Sequence, residues 1–534
     1  MTHQGQASSR PPGEAAARRL FRPSMDGVHT WAGLLFGWLL YFMFVTGTVG
    51  YLDTEIDRWM RPELPQAQYS LPREETAQHA LDFLQNQAPT AHRWTLQLPV
   101  DRNEPYLRVE WQPQGAGQAT QSAWLDAQTG APIAVRDTGG GQTLYQMHWR
   151  LHYLPQAVTD GVVAVASMAL LLALLTGIVV HRRFFADFFT LRLGKGQRSW
   201  LDAHNMASVF TLPFQLMISY SGLVFVMFSF MPLIASAWYG PPPGAVRAFY
   251  GELFPPMAVA PATGERVAQA PIAGLLQQAR SRWGGAQPAV LDIRHPGDSN
   301  ARVSVIGNFA AGPVRSTDIL VFDGVSGRVL AERPAWQSVP RASRDLLLGL
   351  HEGLFAGPIV RSMYVLSGFL GCAMIATGMV LWALKRRQRA ERRRAATTSG
   401  LALVERLNAA VVLGLPIALV AYFWANRLLP VDMDQRAQYE VHVLFGVWLA
   451  MFAHAAWTAP GHAWRAQAWA AALGFGALPV LNLITTNRHL GHSLPAGDWA
   501  MAGFDMACLV LSFGFAGAAW ALKSQRQRAR SVRG

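Results

Sequence analysis

The sequence predicts a polytopic α-helical membrane protein of about eight transmembrane helices that carries two periplasmic α+β domains. Three observations lead there. Its apolar runs are each near the roughly 20 residues that cross a bilayer core. The composition is 51% hydrophobic and only 15% charged. Two long stretches between the runs alternate apolar and polar residues at strand period. The net charge of +13 does not point to nucleic acid, because the basic residues gather in short segments beside the apolar runs, as the positive-inside rule expects. Cys372 and Cys508 both fall inside apolar runs, so neither outer domain is stapled by a disulfide and no thiolate cluster is available.

Residues 1–28 form a cytoplasmic N-terminus with Arg18, Arg19 and Arg22. The first span, 29–52, runs straight into YLDTEIDRW and reads as a retained anchor rather than a cleaved leader. Residues 53–158 make the first periplasmic domain, with a helix at ETAQHALDFLQNQ (75–87) and strands in WTLQLPV, PYLRVEW and SAWLDAQTGAPIAV. The second span, 159–183, and the cytoplasmic loop, 184–204, bring Arg182, Arg183, Arg192, Lys195 and Arg198. The third span, 205–234, should bend at Pro213 and Pro232. Residues 235–358 repeat the periplasmic pattern, with a helix at AQAPIAGLLQQARSRW (268–283) and strands in AVLDIRHP, ARVSVIGNF and DILVFDGVSGRVLAE. In each domain a strand leads into a D-x-x-(S/T)-G turn. The fourth span, 359–384, is followed by a basic cytoplasmic loop, 385–401, containing KRRQRAERRR. A C-terminal four-helix region, 402–522, holds spans near 402–426, 438–459, 466–486 and 499–522, and residues 523–534 are a basic tail. The connections on the other side carry balanced charge, such as Arg427, Asp432, Asp434 and Arg436, so both termini are expected in the cytoplasm.

Histidines mark an internal repeat. Asp26-Gly-Val-His29 begins the first span and Asp202-Ala-His204 the third, while Leu151-His152 precedes the second and Leu350-His351 the fourth. Residues 26–183 and 202–386 therefore read as two copies of helix, domain, helix. His29 and His204 fall near the cytoplasmic face, His152 and His351 near the periplasmic face, and each pair suits a bis-imidazole site for a b-type haem. Two haems stacked across the bilayer make an electron wire. His148 lies four residues before His152 and competes for the outer site if that segment is helical. His181 ends the second span and is an alternate for His29 or His204, or a partner for a haem propionate. Histidines at helix ends also sit among lipid headgroups, but that reading does not account for the same placement in both copies. Gly33, Gly37, Gly47, Gly50, Gly177, Gly222, Gly368, Gly371 and Gly378 permit close approach of a helix or a flat macrocycle, although helix packing uses such residues too. Arg192, Lys195 and Arg198 suit propionates or serve only as topology signals.

The stretches HTWAGL (29–34), QMHWRLHYLP (146–155), TGIVVHRRFFADFF (176–189), RSWLDAHN (198–205) and LHEGLF (350–355) resemble the PepSY-associated transmembrane family of iron-regulated membrane proteins over about residues 22–390. The resemblance implies PepSY-like periplasmic domains, a bacterial inner-membrane location, and haem ligands among His29, His148 or His152, His204 and His351. It also implies reduction of ferric siderophores in the periplasm with release of Fe(II). The spans from about 402 onward depart from that pattern. There His442 and His454 lie about 120° apart around an ideal helix, so no shared face points to a quinol contact or a further haem, and packing or lining suits them better.

Electron transfer is all that this chemistry requires, and the sequence contains neither a serine–histidine triad nor paired hydrolase carboxylates. The glycine runs 115–117 and 139–141 lack the strand and helix of a dinucleotide fold, so electrons are expected from a quinol or a cytoplasmic donor. Tyr153, Trp149 and Arg150 are candidate contacts for the ferric siderophore, and membrane lipid is the other expected partner. Two rival readings remain. One is a transporter component for iron chelates, which calls for polar groups near the midplane. The other is a non-catalytic PepSY-type regulatory or binding protein.

Overall fold

The computed structural model describes residues 12–531 except 68, 70, 116–118, 182–191, 193, 195, 230, 242–243 and 254–260. Arg182, Arg183 and Lys195 of the expected basic loop, and the last three residues of the tail, lie outside the described residues.

The first half comprises α1 (Pro12–Gly50), α2 (Asp53–Met60), α3 (Arg73–Gln87), β1 (Arg93–Gln97), β2 (Leu107–Gln112), β3 (Gln121–Leu125), β4 (Pro132–Ile133), α4 (Gly140–Met147) and α5 (Gln156–Val180). The second comprises α6 (Gln197–Phe210), α7 (Leu212–Phe225), α8 (Met231–Tyr239), α9 (Gly244–Leu253), α10 (Ile272–Arg282), β5 (Pro288–Arg294), β6 (Arg302–Gly307), β7 (Ile319–Asp323), β8 (Val329–Arg333), α11 (Val339–Glu352) and α12 (Pro358–Arg392). The C-terminal region is α13 (Ser399–Val412), α14 (Gly414–Leu428), α15 (Arg436–Trp457), α16 (Pro460–Thr485), α17 (Leu490–Ser493) and α18 (Trp499–Ser531).

Among the described residues, seven helices are long and apolar enough to cross a membrane, and α6 with α7 makes an eighth that is bent by 66°. The bend falls where Pro213 enters the first turn of α7, because proline lacks an N–H and its ring crowds the carbonyl four residues back. Pro358 of α12 and Pro460 of α16 instead start their helices without cost, whereas Pro23 and Pro479 lie inside α1 and α16. In the membrane bundle α1 packs on α5 and α12, α6 on α12, and α7 on α5.

Two separate outer domains were expected, but the strands build one eight-stranded sheet in the order β4-β3-β2-β1-β5-β6-β7-β8. Every pairing is antiparallel, and β1 meets β5 with Leu96 opposite Leu291 and Arg93 opposite Arg294. Each half ends on the open edge of its first strand, and joining the two edges satisfies both rows of backbone groups. Arg93 adds an ion pair across the seam, its Nε 2.7 Å from Asp292 Oδ1. The inward residues Leu96, Val109, Leu291 and Val305 share a single core beneath α3 and α10, which contribute Ala80, Leu84, Leu276 and Ala279. The two D-x-x-(S/T)-G turns are alike: Asp126 and Asp323 accept backbone N–H groups two and three residues on, before glycines at φ 70° and 69°.

The C-terminal helices attach at the sheet end of the bundle through buried charge. Arg427 and Arg436, read above as part of a balanced surface connection, are both buried. The Arg436 guanidinium lies 2.6 Å from Glu440, whose other oxygen accepts from Thr138 Oγ1 at 2.5 Å and Gly139 N at 3.1 Å. Arg427 lies 3.7 Å over the Trp59 ring, whose indole N–H donates to Asp505 at 2.9 Å, and Arg58 pairs with Asp498 at 2.8 Å. Carboxylates and carbonyls from four separate stretches of chain compensate cations that water would otherwise solvate.

Glu440→Ala is expected to destabilise the protein by about 3–5 kcal/mol, because it strands the Arg436 charge. A double replacement, Arg436→Met with Glu440→Leu, should recover most of that loss. Thermal unfolding in detergent reads both, and an unchanged midpoint for Glu440→Ala would refute the pairing.

Candidate functional site

On α1, His29 and Gly47 are eighteen residues apart, five turns of helix, and so share one stripe separated by about 27 Å. The same spacing separates His204 of α6 from Gly222 of α7. The other two histidines come from the sheet side. His148 closes α4, and His351 sits in the last turn of α11, which stops where Gly353 adopts a left-handed φ of 64°.

Each of these four imidazoles rests on a glycine of a neighbouring helix. A Cβ built on Gly177 would lie 3.2 Å from His29 Cε1, on Gly378 3.2 Å from His204 Cε1, on Gly222 3.2 Å from His351 Cε1, and on Gly47 2.6 Å from His148 Nδ1. The ring's Nδ1 then reaches the helix backbone. His29 Nδ1 lies 2.8 Å from the Ala173 carbonyl, His148 Nδ1 2.6 Å from Met43 and His204 Nδ1 2.8 Å from Met374. Carbonyl oxygen only accepts, so in these three rings Nδ1 carries the proton. His351 Nδ1 lies 2.9 Å from Ser221 Oγ, which itself donates to Met217 O at 2.6 Å and so accepts from the imidazole. In its neutral form each ring then presents an unprotonated Nε2, the form that ligates a metal.

A hydroxyl residue precedes every one of the four glycines: Thr46, Thr176, Ser221 and Thr377. Their hydroxyls donate to carbonyls four residues back, Phe42, Leu172, Met217 and Ala373, at 2.6–2.8 Å. Such back-bonding opens the helix slightly on that side and turns neighbouring carbonyls towards an outside donor.

The imidazoles meet in pairs. The ring centres of His29 and His204 are 6.4 Å apart at 70°, and those of His148 and His351 are 6.0 Å apart at 43°. Burial pushes His148 below its ordinary pKa, and burial together with nearby His148 pushes His351 down to about 3, so this outer pair is neutral at physiological pH. The first pair lines a cavity of about 420 Å³ between α1, α5, α6 and α12, with His181 on its wall and Lys385, Arg386 and Arg389 at its basic end.

The chain leaves helix at His148 and runs through turns, so His152 is not carried onto the same face. His152 is exposed and stacks on Phe445 instead, at 6.1 Å and 23°. His442 bonds the Tyr153 hydroxyl at 2.7 Å, and His454 accepts from Gln467 at 3.2 Å. Arg192 is held by both oxygens of Asp202 at 2.8 and 2.9 Å. Among the described residues no group of three or more His, Cys, Asp or Glu side chains is disposed to hold a metal. The Ser/Thr-Gly dipeptides went unremarked in the sequence, though their fourfold recurrence at matched positions is a signal any reader of the repeat can find.

Residues 27–385 match the family described as PepSY-associated TM region, and the chain belongs to it. It is also similar to an uncharacterized protein of Pseudomonas aeruginosa, 24% identical over 354 residues that cover 64% of this chain and 83% of the relative. Helices α13 to α18 lie beyond the family match.

Gly47→Ala should destabilise the protein by about 1–3 kcal/mol, since its Cβ collides with the His148 ring. Gly33→Ala meets nothing within 4 Å and should be neutral or slightly stabilising. Detergent unfolding midpoints check the contrast; equal shifts would show that the imidazole is not seated on Gly47.

Proposed function

We propose that this member of the PepSY-associated TM family holds two b-type haems, one between His29 and His204 and one between His148 and His351, and passes electrons across the membrane to ferric siderophores. The observation that carries this reading is the double pairing of imidazoles with their Nε2 atoms unprotonated. One metal bound by two such nitrogens at about 2 Å each sets the ring centres roughly 6 Å apart, and the measured separations are 6.4 and 6.0 Å. The glycines make room for the imidazoles themselves, and about 420 Å³ at the first pair is within the usual range of ligand cavities, roughly 300–1,000 Å³.

Haem, when bound, supplies a one-electron carrier whose potential the protein tunes. The chain's own residues do the rest. His29, His148, His204 and His351 ligate, and the carbonyls of Ala173, Met43 and Met374 fix the tautomer and raise the basicity of three of the rings. Lys385, Arg386 and Arg389 are available to carboxylates at the end of the first cavity. Leu40, Met374 and Met379 wall that cavity with apolar surface and exclude water.

With the basic segments facing the cytoplasm, both termini lie inside and the sheet lies in the periplasm of a bacterial inner membrane. A siderophore binds Fe(III) with hard oxygen donors far more tightly than Fe(II), so a single electron loosens the metal without an acid, a base or any attack on the chelator. Electrons enter from a quinol or a cytoplasmic donor.

A second reading is a non-catalytic PepSY-type binding or regulatory membrane protein. The family assignment by itself favours it, since the family is described by its membrane region rather than by a reaction. The absence of a larger metal-ligand cluster among the described residues points the same way. The outer strands β4 and β8 leave sheet edges on which a peptide strand can add.

Haem content separates the two. Pyridine haemochrome assay of the purified chain is expected to give two b-type haems, with His204→Ala and His351→Ala each lowering the content to one and His152→Ala leaving both. A colourless protein that also fails haem reconstitution would establish the second reading.

A further inference from the structure

α15 turns one stripe away from the protein, marked by Tyr439, His442 and Leu449, the last 70% exposed. This helix is long and apolar enough to cross the membrane, so the stripe faces lipid. An ionisable side chain there is costly unless it has a use. His442 is not alone. Tyr153, 56% exposed, comes from the turn before α5, hydrogen-bonds His442 Nδ1 at 2.7 Å, and its ring lies within 11° of parallel to the imidazole with centres 5.9 Å apart. His152 lies edge-on to Tyr153 at 4.7 Å, and Tyr439 lies edge-on to His442 at 5.9 Å. Tyrosines at an interface are ordinary belt residues. Two histidines placed around a tyrosine are not.

Behind this shelf a run of rings leads inward. Tyr153 contacts Phe445 at 5.0 Å, Phe445 contacts Trp448 at 6.2 Å, and Trp448 stacks on Phe42 at 5.4 Å and 9°. Phe42 adjoins Met43, whose carbonyl holds His148. The shelf is thus connected through packed aromatic side chains to the imidazole pair on the sheet side.

We infer that a membrane quinol binds on the shelf formed by Tyr153, His442, His152 and Phe445 and is the electron donor to the acceptor held at His148 and His351. The binding stands on the shelf alone; the donor role rests on the haem reading above. The ligand must arrive through lipid, lay a flat ring against Tyr153 and Phe445, and offer hydroxyls to imidazole nitrogen. With His442 Nδ1–H donating to the Tyr153 oxygen, Nε2 has a lone pair for the first hydroxyl proton, and His152 takes the second. The quinol loses two protons and two electrons and becomes the quinone. The protons pass to water on the sheet side. The two electrons would leave singly for the acceptor held by His148 and His351 and would account for two ferric ions reduced to ferrous. This donor enters at the sheet end, so His29 and His204 would serve a cytoplasmic donor across the membrane rather than the quinol.

Decylubiquinol titrated anaerobically into the full chain in nanodiscs, followed by tryptophan quenching, is expected to saturate. His442→Ala should weaken binding by about tenfold, the loss of one hydrogen bond, and Tyr153→Phe should weaken it by releasing the imidazole that the Tyr153 hydroxyl holds, while Leu449→Ala leaves it unchanged. Tyr153→Phe keeps the ring, so a fold defect in His442→Ala does not decide the matter. Decylubiquinol should then reduce the outer haem of His204→Ala as fast as that of the parent. No saturation, equal affinity in all variants, or equal quenching by phospholipid overturns the proposal. A haem-loaded chain that does not bind quinol sinks this inference and leaves the haem reading standing. A chain that binds quinol but takes no haem sinks the haem reading and, with it, the donor role.

Discussion

Four imidazoles each reach to a neighbouring helix and donate an Nδ1 proton to an oxygen on it, three to a backbone carbonyl and one to a serine hydroxyl. The donation requires two things of that helix: no Cβ where the ring lies, and an acceptor within reach. Glycine meets the first, and the preceding threonine or serine, bonding back to its own helix, assists the second. The contact also locks helix to helix, since His29 ties α1 to α5 and His204 ties α6 to α12. The same bond therefore fixes the tautomer of each ring and the packing of the four helices around it.

The duplication works because its halves are interleaved rather than side by side. Each imidazole sits on a glycine of its own half but faces an imidazole of the other, so neither half completes a pair by itself. The sheet repeats this logic, with β1 and β5 closing each other's open edge. Seam and pairs each join one half to the other.

Much of the fold was legible because long apolar runs and period-two strands are local signals. Among the described residues seven helices and one bent pair are long and apolar enough to cross a membrane, in keeping with the eight expected, and Pro213 marked the bend in the third. The single sheet was not legible, since nothing in β1 or β5 says which foreign edge each will meet. The choice between His148 and His152 was equally closed, because it hinges on whether the chain stays helical for one more turn after Met147. Arg427 and Arg436 read only as balanced connection charge for a related reason: their partners, Asn482, Asp137 and Glu440, come from other segments or from a register that only packing reveals.

The seam between β1 and β5 joins residues about two hundred positions apart, Arg93 with Arg294. At a synthesis rate of roughly 5–20 residues per second, β1 waits on the order of 10–40 s for its neighbour to be made. During that time a half-sheet emerges with Trp94 and Leu96 on a strand whose edge is open, while α5, α6 and α7 are still being inserted. Such an edge invites pairing with any passing strand. Biogenesis of this chain is therefore a race between its own second half and its neighbours, and a holdase on the sheet side of the membrane that shields one strand edge would decide the yield.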